Sequence, residues 1–378
     1  MAQKRVLKMK KGPRIILKVF ITLLVIFFAL LFCFLYIKHK ITSAGYSEKA
    51  AIRIMKEFKI EYAVSNPGNK TLNRAFESSS YKEKNLDKYK QVKFFNHANL
   101  IDNINTLLEK GYTTRDISII LAHGSNSDVT EFAKKDKIKY LEEFFSYDFA
   151  KLKYYDRYVK YMDSEGDDEE TTIIMVNLDL DKEDYKDPYD VSNDHSLTVL
   201  ANKHHSLGKN YIPKNLVTVK SEYTVDKDDS TKGRKEAVDA AMEMMQAAKK
   251  EGLNLLINSG YRSYDDQQEV YDKYFKLYGE DYVKKYVVNP GFSEHQTGLA
   301  FDFASGNSKI FKESKEYDWM IKNSYKYGFC YRYLKKKENI TGIKTEAWHF
   351  RYVGKDVSKV MDEEELSLEE YYAIYVDK

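Results

Sequence analysis

The chain has 378 residues, enough for one or two domains plus a tether, and its net charge is only +3. Basic and acidic residues are interspersed and nearly balanced, so the molecule lacks the positive field that a nucleic-acid partner requires. Its two cysteines, Cys33 and Cys330, fall in an apolar segment and a predicted strand and are not expected to pair, so disulfides do not carry the fold.

Residues 1–18 form a basic tail with Lys4, Arg5, Lys8, Lys10, Lys11, Arg14 and Lys18. Residues 19–37, Val19 to Ile37, carry no charge. At about 1.5 Å per residue this run crosses a hydrocarbon core of about 30 Å. The basic flank is expected to stay in the cytoplasm, which makes the segment a single-pass anchor in the cell membrane and places the rest of the chain outside. The run is too long for a cleaved signal peptide, and Phe32 is too bulky for lipoprotein processing at Cys33.

Residues 46–194 read as a mainly helical extension and linker. Three- and four-residue apolar spacing predicts helices over Glu48–Phe58, Leu100–Leu108, Arg115–Ala122 (capped by Thr114), Asp128–Phe144 and Ala150–Met162. No fixed period establishes a repeat array. Ser164–Glu170 is expected to be a solvated acidic loop. The β-branched run Thr171–Leu180 reads as a strand, and Asp181–Asp194 as a linker.

Residues 195–378 read as a catalytic domain of α+β class, a small, mostly antiparallel sheet flanked by helices and closed by a C-terminal helix. Leu197–Ser206 reads as a strand, with His204 and His205 at the surface because adjacent strand residues point to opposite faces. Arg234–Glu251 is an amphipathic helix closed by Gly252. The strand Leu253–Ser259 leads through Arg262 to Ser263, which is placed to cap the helix Tyr264–Leu277. Further strands are expected over Leu299–Phe303, Phe329–Leu334 and Trp348–Val353. A helix is expected over Lys312–Lys326, and Leu368–Tyr375 forms the last, capped by Ser367.

Two stretches carry chemistry. Pro290–Phe303 places His295 and Asp302 seven residues apart, and Glu346-Ala-Trp-His349 adds a second imidazole with a carboxylate three residues before it. Two imidazoles and one carboxylate suit a catalytic zinc set with an open fourth position, and a spare Glu beside them suits a general base. Asp302 lies among apolar neighbours, where a carboxylate is costly unless it meets a cation.

Ser259-Gly-Tyr-Arg-Ser263, Gly291-Phe-Ser-Glu-His-Gln-Thr-Gly298 with Asp302, and Glu346–Val353 together resemble the VanY-type D-alanyl-D-alanine carboxypeptidases, zinc metallopeptidases of bacterial cell-wall metabolism. The resemblance implies one zinc ion held by His295, Asp302 and His349, and Glu346 as general base. It implies that Arg262 stabilises the carbonyl oxygen or holds substrate, that Gln267 and Ser293 bind a terminal carboxylate, and that Trp348 shapes the wall. The implied substrate is a peptidoglycan stem peptide losing its C-terminal D-alanine. L,D-carboxypeptidase, D,D-dipeptidase and endopeptidase activities are open alternatives for the same site. Ala347 stands where the family often has Pro, which puts the turn carrying Glu346 in question.

Overall fold

The computed structural model describes residues 11–136 and 139–377, so Lys4, Arg5, Lys8 and Lys10 of the expected cytoplasmic tail lie outside the described residues. The chain divides into two compact units, Met1–Lys153 and Tyr154–Lys378.

The first unit is helical. It begins with α1 (Lys11–Ser43), of which Arg14–Ser43 is long and apolar enough to cross a membrane, with a mean hydropathy of 3.0. Then come α2 (Glu48–Lys56), α3 (Ile60–Ser65), α4 (Lys70–Glu77), α5 (Leu86–Gln91), α6 (Leu100–Glu109), α7 (Thr114–His123), α8 (Asn126–Phe132) and α9 (Leu141–Phe144). The helix expected over Asp128–Phe144 is therefore two short ones. The cap of α7 is Thr113 rather than Thr114, in a reciprocal pair with Asp116.

Polar links between these helices join residues from 16 to 30 apart in the chain. Tyr62 to Asp87 spans 25 residues, Lys82 to Glu109 spans 27, Lys110 to Asp136 spans 26, and the Ser47 backbone to Asn73 spans 26. The unit is thus a run of short helices, each tied to helices near it in the chain. They bury apolar residues such as Ile54, Leu72, Ile104 and Ile120 against their neighbours.

The second unit opens with α10 (Tyr155–Glu165) and α11 (Glu169–Asn177). The strand expected over Thr171–Leu180 is instead this helix. Asp168 caps it by accepting the Thr171 N–H at 2.8 Å, and Glu169 and Glu170 sit in its first turn. Thr172 to Val176 are all buried, so no polar face marks the helical period, and an apolar run of this length fits either element.

Two short pairs follow: β1 (Tyr189–Asp190) parallel to β2 (His205–Ser206), and β3 (Leu216–Thr218) antiparallel to β4 (Lys232–Arg234). Only the end of the strand expected over Leu197–Ser206 forms. His204 and His205 are buried rather than at the surface. Asp184 lies 3.4 Å from His204 Nε2, and Asn202 Oδ1 lies 3.0 Å from His205 Nδ1, so each ring is satisfied inside. Neither joins the candidate site.

The main sheet has the order β5–β6–β8–β7, antiparallel throughout, with β5 at Leu255–Ser259, β6 at Ala300–Ser305, β7 at Phe329–Tyr331 and β8 at His349–Tyr352. Strand alternation divides its faces. Phe301, Phe303, Phe329 and Phe350 join Met244, Met245 and Met320 in the core beneath α12 (Lys235–Lys250). The intervening residues Asp302, His349 and Arg351 face the other way, toward the site. Around the sheet lie α13 (Tyr264–Tyr278), α14 (Glu280–Tyr286), α15 (Lys315–Asn323), α16 (Glu338–Thr341), α17 (Lys355–Glu363) and α18 (Leu368–Tyr371). The α+β class holds as expected.

Candidate metal centre

Asp302 and His349 are direct cross-strand partners on β6 and β8, so their side chains leave the same face of the sheet. His295 reaches them from a single 3-10 turn, Glu294–Thr297, closed by Gly298 at φ 69°. A Cβ at Gly298 would lie 3.1 Å from Leu216 and 3.2 Å from the Arg234 backbone, so only glycine makes this turn at this distance from β4.

One atom from each of His295, Asp302 and His349 lies within 4.8 Å of the others. His295 Nε2 is 3.4 Å and His349 Nδ1 is 3.3 Å from Asp302 Oδ1. Asp302 Oδ1 is buried and makes no hydrogen bond of proper geometry to either ring. Three lone pairs thus converge on a point without a proton donor aligned between them, which is what a divalent cation requires of its ligands.

Each imidazole is held from behind. His295 Nδ1 is 2.7 Å from the Gly260 carbonyl, and His349 Nε2 is 3.1 Å from Glu294 Oε2. Donation through those outer nitrogens leaves His295 Nε2 and His349 Nδ1 as the inward acceptors. Gly260 must be glycine for this, because a Cβ there would lie 2.4 Å from the Lys232 carbonyl.

The electrostatics favour a cation at the same point. Burial works against charge on Asp302, but the two imidazoles hold it well below the usual carboxylate range. Burial likewise opposes charge on His349, yet Asp302 and Glu294 outweigh it and raise the ring to about 9, so the surrounding carboxylates favour positive charge here. Burial, together with the Arg262 charge, lowers His295, favouring the neutral ring that a metal needs.

Glu346 stands outside the ligand set, with Oε2 3.7 Å from His349 Nδ1. Burial pushes its carboxyl up to about 7, a value suited to taking and returning protons near neutrality. The turn that carries it is closed by His349 N–H donating to the Glu346 carbonyl at 3.3 Å, so Ala347 does not open it.

A cleft of about 430 Å³ lies over this centre, and every residue picked out from the sequence lines it: Arg262, Gln267, Ser293, His295, Asp302, Glu346, Trp348 and His349. Ser263 caps α13 as expected, sharing a reciprocal cap with Asp266, and this fixes the backbone beside Arg262. Arg262 Nε has no hydrogen-bond partner. Gln267 donates its amide N–H to the Val288 carbonyl at 2.8 Å, which leaves Oε1 as a buried acceptor without a partner.

The sequence did not single out the layer behind His349. Glu294 Oε1 accepts from Arg332 Nε at 2.8 Å and from Arg351 at 3.0 Å. Arg332 grips Glu369 of α18 through two bonds of 2.8 and 2.6 Å, and Asn202 donates to the same carboxylate at 3.1 Å. All four charged side chains are essentially inaccessible. A signal was present, since Arg332, Arg351 and Glu294 alternate with core aromatics or adjoin ligands, but nothing in one sequence says which charges pair.

Residues 230–355 match the family model of VanY, D-alanyl-D-alanine carboxypeptidase. The chain is 43% identical over 188 residues to the putative carboxypeptidase YodJ of Bacillus subtilis (strain 168), covering 48% of this chain and 69% of that protein. It is 33% identical over 183 residues to the bifunctional D-Ala-D-Ala dipeptidase and D-Ala-D-Ala carboxypeptidase VanXYC of Enterococcus gallinarum, covering 46% of this chain and 92% of that protein. Among solved structures, the LdcB LD-carboxypeptidase aligns at 41% identity with a TM-score of 0.47, over 51% of this chain and 92% of that one.

Proposed function

The chain belongs to the VanY D-alanyl-D-alanine carboxypeptidase family of zinc peptidases, and from that premise we propose that it removes the C-terminal D-alanine of peptidoglycan stem peptides outside the cell membrane. The observation that carries this reading is the convergence of His295, Asp302 and His349 at the floor of a cleft that also holds Glu346 and Arg262. These three residues would hold one zinc ion. When bound, zinc supplies Lewis acidity, which lowers the pKa of water and polarises a carbonyl.

The chain's own groups do the rest. Glu346 takes a proton from the attacking water and returns it to the leaving amine, so no net proton is consumed at the enzyme. The Arg262 guanidinium faces the charge that develops on the carbonyl oxygen, or the terminal carboxylate, and its unpaired Nε is free to bind either. Gln267 Oε1 can only accept, so it suits a substrate N–H, while its remaining N–H and Ser293 face the carboxylate. Trp348 walls the cleft.

Full-length protein in detergent is expected to release a single D-alanine from a synthetic stem pentapeptide, and to lose that activity with a strong chelator and regain it with added zinc. Mass spectrometry of the products separates the alternatives that this geometry serves equally. Loss of one residue only from a tetrapeptide means L,D-carboxypeptidase, hydrolysis of free D-alanyl-D-alanine to two alanines means D,D-dipeptidase, and an internal cut means endopeptidase. Chelator-insensitive turnover would remove the metal from the reaction.

The anchor reading is supported by α1, whose Val19–Tyr36 stretch exposes nearly every large apolar side chain. Protease added to intact protoplasts is expected to digest residues 46–378 and spare an N-terminal tag. Digestion of the tag from outside would reverse the orientation.

A further inference from the structure

The helices α13 and α14 spend almost none of their apolar surface on the core. In the 15 residues of α13 only Gln267 is buried, and in α14 only Val283. Yet the pair is densely aromatic. Tyr274, Tyr278, Tyr282 and Tyr286 recur every four residues and form a continuous ladder, with ring centroids 6.0 Å apart for Tyr274–Tyr278, 4.5 Å for Tyr278–Tyr282 and 4.8 Å for Tyr282–Tyr286. Its inner members Tyr274, Tyr282 and Tyr286 line the catalytic cleft, while Tyr278 is 59% and Phe275 is 47% exposed. A solvent-facing aromatic strip running out of a cleft marks a surface that meets a ligand.

We propose that this ladder is a saccharide-binding strip that seats the glycan strand to which the stem peptide is attached, a proposal that rests on the peptidoglycan reading above. Charge selects this occupant. The two helices carry six carboxylates against four lysines, which disfavours an anionic lipid surface or a polyanion and leaves a neutral partner. Pyranose rings present apolar C–H faces and hydroxyls, which match the apolar body and polar tip of tyrosine. Continuity with the cleft supplies the geometry, because a ligand whose peptide enters the cleft carries its sugar to the rim. Contact with the sugar is then intramolecular and adds affinity without new peptide contacts.

The test compares full-length zinc-loaded protein on a free stem pentapeptide, the same peptide on its disaccharide, and a neutral N-acetylglucosamine oligosaccharide without peptide. Wild type is expected to show a lower KM for the disaccharide-linked substrate than for the free peptide, and to bind the oligosaccharide. Tyr278→Ala is expected to raise KM for the linked substrate roughly three- to tenfold, the scale of one lost aromatic contact. It should leave kcat and all constants for the free peptide unchanged, and Tyr278→Phe, which keeps the ring, should restore most of the loss. Equal KM values for linked and free substrate with no oligosaccharide binding would overturn the strip, and so would a Tyr278→Ala defect of equal size on both substrates. Failure to cleave either peptide would dismiss the reaction, while oligosaccharide binding by wild type and its loss in Tyr278→Ala would still decide the strip.

Discussion

Glu346→Gln is expected to lower the turnover of a stem pentapeptide by roughly 10²–10⁴-fold, the range for loss of one general acid–base group, while bound zinc stays at wild-type stoichiometry. Glutamine matches the shape of glutamate, so the cleft beside Trp348 and Thr345 is undisturbed, but it cannot accept a proton. Zinc should stay because Glu346 is outside the cluster formed by His295, Asp302 and His349. Asp302→Asn is the matched control. It replaces the buried oxygen that has no hydrogen-bond partner with a neutral amide, so it should lose metal and activity together. D-alanine release and metal content, measured on the same preparations, separate the two roles. A Glu346→Gln enzyme with near-normal turnover would require another base, and a metal-free one would make Glu346 a ligand.

The site was legible in the sequence because its chemistry is concentrated in short stretches. His295 and Asp302 are linked by one turn and the start of one strand, and Glu346 and His349 by another turn. Glycines at 260 and 298 mark where the backbone must come close. The strands of the main sheet were legible for a related reason: Phe301, Phe303, Phe329 and Phe350 alternate with residues of the other face. Where alternation is absent, the reading fails. Residues 172–176 are buried on every side, so a buried helix reads as a strand, and the Asp168 cap distinguishes the two. The packing of the first unit is concealed differently. The linking pairs are Tyr–Asp in one place and Lys–Glu in another, so no recurring letters announce which helices meet. His204 and His205 were misplaced because their partners, Asp184 and Asn202, are polar residues of irregular segments, where no pattern announces burial.

The charged layer behind His349 was the least legible part and carries the second large effect. Glu294→Ala is expected to cost about 3–5 kcal/mol of stability, the scale for removing one partner of a buried ionic network, and to weaken zinc binding roughly 10–100-fold, as loss of a ligand's outer partner does. The two losses have separate origins. Stability falls because Arg332 and Arg351, both with essentially no exposure, lose a carboxylate that bonds each of them. Zinc affinity falls because His349 loses the acceptor that keeps Nδ1 turned toward Asp302. Arg332→Lys tests the more distant part of the network. It keeps the charge but loses the fork that binds Glu369 twice, so it should lower stability while leaving zinc affinity close to wild type, since Glu294 would still face His349. Denaturant unfolding of the metal-free proteins gives the stability term, and competition with a chromophoric chelator gives the affinity. If Glu294→Ala unfolded at the wild-type midpoint and bound zinc normally, the layer would be incidental to the centre. If Arg332→Lys lost affinity as fully as Glu294→Ala, the orientation of His349 would depend on the whole chain of charges out to α18 rather than on Glu294 alone.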